Sequence, residues 1–290
     1  MATNLTADAV IAKIRAKVGA TWMGGTSETI EYGDGSAPVT GIATVWTPSI
    51  EVLKRAAAAK HNFIVAVEPP FWVEAGTVKT EATMGPPKHE QLVSSPAYQE
   101  KKKLMDDSGL VVWRFNENYA ALPRNPRLNA LASALGYKAH ENAAATQKLA
   151  DVGAGVYTLP ETTLRELAQK ASDARQARAL RMLGDSDEKV KSIVLKPGYL
   201  TNADIMAMVH DRNVDVVVCG EACEWEAFEY AEDWITAGWG KGMIMLGRAV
   251  SEDPGAKELA SWVKSIVPEV PVTGFEVGEP FNYIPSHNKA

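Results

Sequence analysis

The stretch from Gly41 to Trp72 constrains the fold more than any other. Gly41-Ile42-Ala43-Thr44-Val45-Trp46 reads as a short strand, and Ser49 to Lys60 reads as a helix entered through Thr47-Pro48-Ser49. Asn62 to Val67, with its apolar run Phe63-Ile64-Val65-Ala66-Val67, reads as a buried second strand. Strand, helix and strand in that order form one crossover unit, which favours a parallel pair within an α/β lobe. The second strand stops at Glu68, followed by Pro69 and Pro70, which cannot extend a ladder. In open α/β sheets the carboxyl ends of strands are where ligands sit, so Glu68 is a candidate site residue; the alternative is a loop cap or the partner of a surface arginine.

The same pattern recurs. Leu110 to Phe115 reads as a strand running into Asn116-Glu117-Asn118-Tyr119. Val214 to Cys219 runs into Gly220-Glu221-Ala222-Cys223-Glu224, and Met243 to Leu246 runs into Gly247-Arg248-Ala249-Val250-Ser251-Glu252. A further polar strand after Trp22-Met23-Gly24-Gly25 carries Glu28. Helical spacing predicts helices over Thr6–Lys17, Ala97–Gly109, Leu164–Leu183, Ala203–Asp211, Phe228–Ala237 and Gly255–Val267, with short strands at Ser192–Leu195 and near Val272–Val277. Residues 73 to 96 show no period and read as a long loop beside a strand end, of a length that often covers a pocket. The alanine-rich helix and glycine turns of 121–155 mark a lobe boundary, with residues 1–125 in an N-terminal lobe and 126–290 in a C-terminal one. The last helix and strand are expected to complete the second lobe.

Composition narrows the partners. The net charge is −6, and Lys101-Lys102-Lys103 is the one basic run, which reads as a solvated helix face; no nucleic acid is expected. No apolar run is long enough to span a bilayer, and Met1 to Asp8 lacks the basic and apolar regions of an export signal, so a cytoplasmic protein without a membrane partner is expected. Cys219 and Cys223 form neither a disulfide framework nor a structural zinc set. Cys223 reads as a small buried side chain, and the tryptophans as core or subunit-contact groups. Trp72 and Tyr119 are set apart as candidate pocket walls, because each follows a strand-end carboxylate.

Several segments together resemble the Nif-three-like family, also described as GTP cyclohydrolase I type 2 homologues or dinuclear metal centre hexameric proteins. They are Val39-Thr40-Gly41-Ile42-Ala43-Thr44, Glu68-Pro69, Val112-Trp113-Arg114-Phe115, Tyr157-Thr158-Leu159-Pro160, Gly220-Glu221, Glu224-Trp225-Glu226, and Leu246-Gly247 with Ser251-Glu252. The resemblance implies two intertwined α/β lobes with mixed sheets, a ring-shaped homo-hexamer, and a two-metal site in the cleft between lobes. Family members are usually described as metal-dependent hydrolases.

The chain departs from that family at the ligands themselves. Val67 stands where histidine is expected, Asn116-Glu117-Asn118 replaces a His-Asp-His run, and Arg248 replaces the histidine after Leu246-Gly247. Glu252 is retained four positions later. Valine cannot ligate, a protonated arginine repels a cation, and the remaining carboxylates and amides form an oxygen-only set. Zinc is therefore disfavoured. Either no cofactor is bound, or one hard cation (magnesium, manganese or calcium) sits on Glu68, Glu117 and Glu252, or Arg248 supplies the positive charge and binds these carboxylates at rest and a substrate anion on entry.

Two functional readings follow. In the first, the protein is a hydrolase or lyase acting on C–N or C–O bonds of a small polar or anionic substrate, such as a cyclic amide. Glu68, Glu117, Arg248 and Glu252 form its catalytic set, with Glu117 or Glu252 as base and Arg248 as electrostatic stabiliser. Glu28, Trp72, Asn116, Asn118, Tyr119 and Glu224 line its substrate site. In the second, the metal site is lost and the ring is a non-catalytic binding or regulatory protein.

Overall fold

The computed structural model describes residues 5–72, 89–210 and 213–284. The chain divides into two compact units, residues 1–123 with 256–277 and residues 124–255 with 278–290. In chain order the first unit carries α1 (Ala7–Val18), β1 (Ile30–Tyr32), β2 (Ile42–Val45), α2 (Ile50–Ala58), β3 (Phe63–Ala66), α3 (His89–Ser94), α4 (Pro96–Asp107), β4 (Val111–Arg114) and α5 (Glu117–Ala120). The second carries α6 (Pro126–Ala134), α7 (Ala143–Lys148), β5 (Gly155–Thr163), α8 (Leu164–Arg175), β6 (Arg181–Leu183), β7 (Lys189–Leu200), α9 (Asn202–Val209), β8 (Val216–Ala222), α10 (Ala227–Thr236) and β9 (Gly242–Met245). Helix α11 (Arg248–Ile266) contains the division between Gly255 and Ala256, and β10 (Val272–Phe275) follows it.

Each unit is built on a mixed five-stranded sheet. The first has the order β1-β4-β3-β2-β10, in which β1 is antiparallel to β4 and the other pairs are parallel. The crossover expected from Gly41 to Val67 is present as β2-α2-β3, with Ile42 opposite Phe63 and Val45 opposite Ala66. All four residues of β2, β3 and β4 are buried, as strands covered on both faces require. The second sheet has the order β5-β7-β8-β9-β6, with β7, β8 and β9 parallel and both edge strands antiparallel.

Four expectations are corrected. The helix from Leu164 stops at Arg175, where Gln176 takes a left-handed conformation (φ 51), and Arg181–Leu183 is an edge strand paired with β9. The strand at Ser192–Leu195 extends over Lys189–Leu200 and has an antiparallel partner, β5, in a stretch between the expected lobe boundary and the Leu164 helix for which the sequence predicts no element. Strand β10 pairs with β2 in the first sheet, so the last helix and strand do not complete the second lobe. Of the loop expected over 73–96, residues 73–88 lie outside the described residues, and 89–94 form α3.

Helix α11 begins seven residues earlier than the spacing predicts, because Pro254 lies inside it. Proline cannot donate to the carbonyl four residues back, which belongs to Val250. Arg175 Nε donates to that carbonyl at 3.1 Å, supplying the missing hydrogen bond from a side chain. Arg248 and Glu252 thereby become neighbours on the first turns of a helix, four residues apart on one face.

Candidate functional site

The sequence-derived site residues fall into one set in each unit. In the first unit they gather where β4 ends. Glu28 is 3% exposed and accepts hydrogen bonds from the backbone N–H groups of Asn116 (3.0 Å) and Asn118 (2.8 Å) and from the Asn118 side-chain amide. Asn118 is itself buried, and its side chain also bridges Met23, accepting from the backbone N–H at 2.7 Å and donating to the carbonyl at 3.2 Å. Burial raises the pKa of Glu28; the Asn118 hydrogen bonds oppose the shift, and the nearby Glu117 carboxylate adds to it. The Asn116 backbone and both the backbone and side chain of Asn118 thus hold a buried carboxylate in place.

Glu117 opens α5, and its Oε1 lies 3.2 Å from the guanidinium of buried Arg114 and accepts from Ser27 Oγ at 3.0 Å. Arg114, the last residue of β4, also donates to the carbonyl of Val67 at 3.2 Å. Val67 thus contributes its backbone, and Arg114 supplies the counter-charge for Glu117 that the sequence reading sought from Arg248. Glu68 follows Val67 at half-burial, its N–H bonded to the Trp46 carbonyl at 2.9 Å.

The two candidate pocket walls diverge. Tyr119 is fully buried in the core with Phe115, Trp113 and Phe63, so it offers no wall to a ligand. Trp72 is 57% exposed at φ 65, with Lys101 Nζ 5.2 Å from its ring centroid.

In the second unit a second set forms at the carboxyl ends of β7 and β8. Glu252 is 2% exposed, and the Arg127 guanidinium grips its carboxylate with both arms, Nε to Oε2 at 3.0 Å and Nη2 to Oε1. Arg248 Nε approaches the same Oε1 at 3.4 Å, while Arg248 Nη1 donates to Glu221 Oε1 at 2.9 Å. Glu221, from the end of β8, is the more open carboxylate, with its side chain 44% exposed. Glu224 lies farther out, two-thirds exposed and ion-paired with Arg181.

Glycine makes room for this cluster. Gly198 sits at φ +76, where β7 departs from regular pairing with β8, and a Cβ there would collide with Glu252 Oε1. Its N–H donates to Ser251 Oγ at 3.0 Å, and that hydroxyl donates to the Arg248 carbonyl at 2.8 Å. A side chain at Gly220 on β8 would strike the same hydroxyl.

Arg127 is the principal residue that sequence reasoning missed. No local motif marks it: it lies in α6, 125 residues from its partner, on no strand end.

Glu252 presents its carboxylate to two guanidinium groups, that of Arg127 through two hydrogen bonds and that of Arg248 at 3.4 Å, and their positive charge repels a cation. Among the described residues, no three His, Cys, Asp or Glu side chains group as metal ligands.

No family model and no curated protein matches the sequence. Solved structures do match. A Bacillus cereus protein related to NIF3 superposes with a TM-score of 0.72 over 97% of this chain and 100% of its own, at 13% identity. Staphylococcus aureus SA1388, described as a hypothetical protein, gives a TM-score of 0.69 over 97% and 99% at 15% identity. This chain has the NIF3 fold. The protein ybgI, of unknown function, superposes with a TM-score of 0.70 over 95% of this chain and 100% of its own, at 17% identity. At these identities the NIF3 likeness carries architecture alone, and the resemblance read from the sequence holds at that level. Among the described residues, no helix of this NIF3-fold chain is long and apolar enough to cross a membrane.

Proposed function

We propose that this chain is a metal-independent NIF3-fold protein that binds small anions at Arg248. The arginine pair around Glu252 supplies the positive charge that a metal supplies in the family it resembles. One observation carries the reading: the retained glutamate is buried and gripped by Arg127, which leaves Arg248 facing a half-exposed partner, Glu221. The Arg248–Glu221 pair is partly open to water, which weakens it, so an incoming anion can compete with Glu221 for Arg248. Arginine suits the task, since its planar fork matches carboxylate and phosphate oxygens.

Titration of chelator-treated protein with inorganic phosphate by calorimetry tests this. Binding should persist after chelation and be lost in Arg248→Gln. Absence of binding in the unaltered protein, or undiminished binding in Arg248→Gln, contradicts the reading.

A hydrolytic reading draws on Glu117. Its Oε1 is held by Ser27 and Arg114, whereas its buried Oε2 has no hydrogen-bond partner among the described residues. That oxygen is available to accept a proton from water or substrate. Hydrolysis of small amides or esters that is abolished in Glu117→Gln and insensitive to chelator would establish this activity. A hexameric ring is the assembly proposed for either reading, and light scattering at about six times the chain mass would support it.

A further inference from the structure

The carboxyl edge of the second sheet carries more than the Arg248–Glu221 pair. Strands β7, β8 and β9 run parallel and end together, which is where α/β sheets present ligand sites. Tyr199, at the end of β7, lies directly opposite Glu221 in the register, and its ring is 38% exposed. Its hydroxyl is within hydrogen-bonding reach of the Cys223 side chain, on the loop that leaves β8. That loop presents Trp225, 65% exposed, between Glu224 and Glu226. Arg181 stands opposite Met245, the last residue of β9, and its guanidinium approaches the Met245 sulfur at 3.8 Å. Arg248 follows three residues later.

Two arginines therefore flank the end of β9, Arg248 paired with part-buried Glu221 and Arg181 with exposed Glu224, while Tyr199 stands opposite Glu221 and exposed Trp225 follows Glu224 in the chain. Tyr and Trp are enriched at binding surfaces, where an apolar ring and a polar tip can both be used. Lone phosphate would use the arginines and leave both rings idle.

We infer that the anion bound at Arg248 is the anionic group of an aromatic molecule, with an aryl phosphate as the fitting class. Its phosphoryl oxygens replace Glu221 on Arg248 and Glu224 on Arg181, and its ring lies against Tyr199 and Trp225. The inference rests on the anion-binding reading above. It adds that ring contact, and not charge alone, selects the ligand. No bond is made or broken.

Calorimetric titration with phenyl phosphate and with inorganic phosphate, on chelator-treated protein, separates the two claims. Phenyl phosphate should bind at least about five-fold more tightly, the scale of one aromatic contact. Tyr199→Ala should remove most of that preference while leaving phosphate affinity unchanged. Trp225→Ala, at a more exposed position, repeats the test with less demand on folding. Equal affinities for the two ligands, or a preference that survives both substitutions, would overturn the inference and leave the phosphate reading standing. Failure of both ligands to bind would remove the anion reading itself and this inference with it.

Discussion

Arg127 and Glu252, 125 residues apart, join through two hydrogen bonds, Nε to Oε2 at 3.0 Å and Nη2 to Oε1, with the carboxylate almost wholly buried. Removing one partner strands the other charge in a low-dielectric site, which costs about 3–5 kcal/mol. Arg127→Ala should therefore lower stability by that order in urea unfolding. Replacing both partners together, as Arg127→Met with Glu252→Leu, should recover most of the loss, because a well-packed apolar pair avoids the desolvation penalty. A small effect of the single change would show that Arg127 does not hold Glu252 in solution.

Glu28 gives a pH-dependent signature. Its pKa is raised by burial, so the folded state holds the proton more tightly than the unfolded chain does. Its contribution to stability is greatest below its unfolded value of about 4.5 and declines as pH rises through the raised folded value. Glu28→Gln turns an amide towards the Asn118 amide and should cost about 1–3 kcal/mol at pH 7. The gap between the two proteins should widen as pH falls towards 4.5, since only the glutamate gains from protonation. Unfolding curves at several pH values measure it, and a gap that narrows on acidification would contradict this account.

Lys101 should act in the alkaline range. It is 3% exposed, its ammonium donates to the Pro70 carbonyl, and burial lowers its pKa from 10.5 to about 8. Burial of the charged form disfavours folding below pH 8, and the penalty is relieved as pH rises from about 8 to 10.5. That difference corresponds to about 3 kcal/mol. The stability of the unaltered protein relative to Lys101→Met should rise across this window. A flat difference would place the Lys101 ammonium in water.

The parallel core of both sheets was legible in the sequence because its strands are continuous apolar runs: Phe63–Ala66, Val111–Arg114 and Val216–Val218 read as buried strands on composition alone. The edges were not. Strand β5 contains Pro160 and Glu161 and is buried only over Gly155–Tyr157 and at Thr162, while β6 has only three residues and merges with the helical period of α8. Pro254 hid the start of α11, and so the helical spacing that brings Arg248 onto Glu252. The site residues were found in part for the same reason. Carboxylates that end apolar runs stand out, whereas Arg127 is defined only by a contact across 125 residues, and Arg114 by the turn that follows β4. Asn116 and Asn118, named as candidate ligand-binding groups, both donate backbone N–H groups to Glu28, a contact across 88 and 90 residues that no local pattern marks.

We propose that arginine, and not metal, balances the buried Glu252 carboxylate. Equilibrium dialysis of chelator-treated protein against zinc and manganese, followed by elemental analysis, tests it most directly. The account predicts no stoichiometric metal in the unaltered protein and no change in Glu252→Gln. One or two ions per chain, lost in Glu252→Gln, would contradict it.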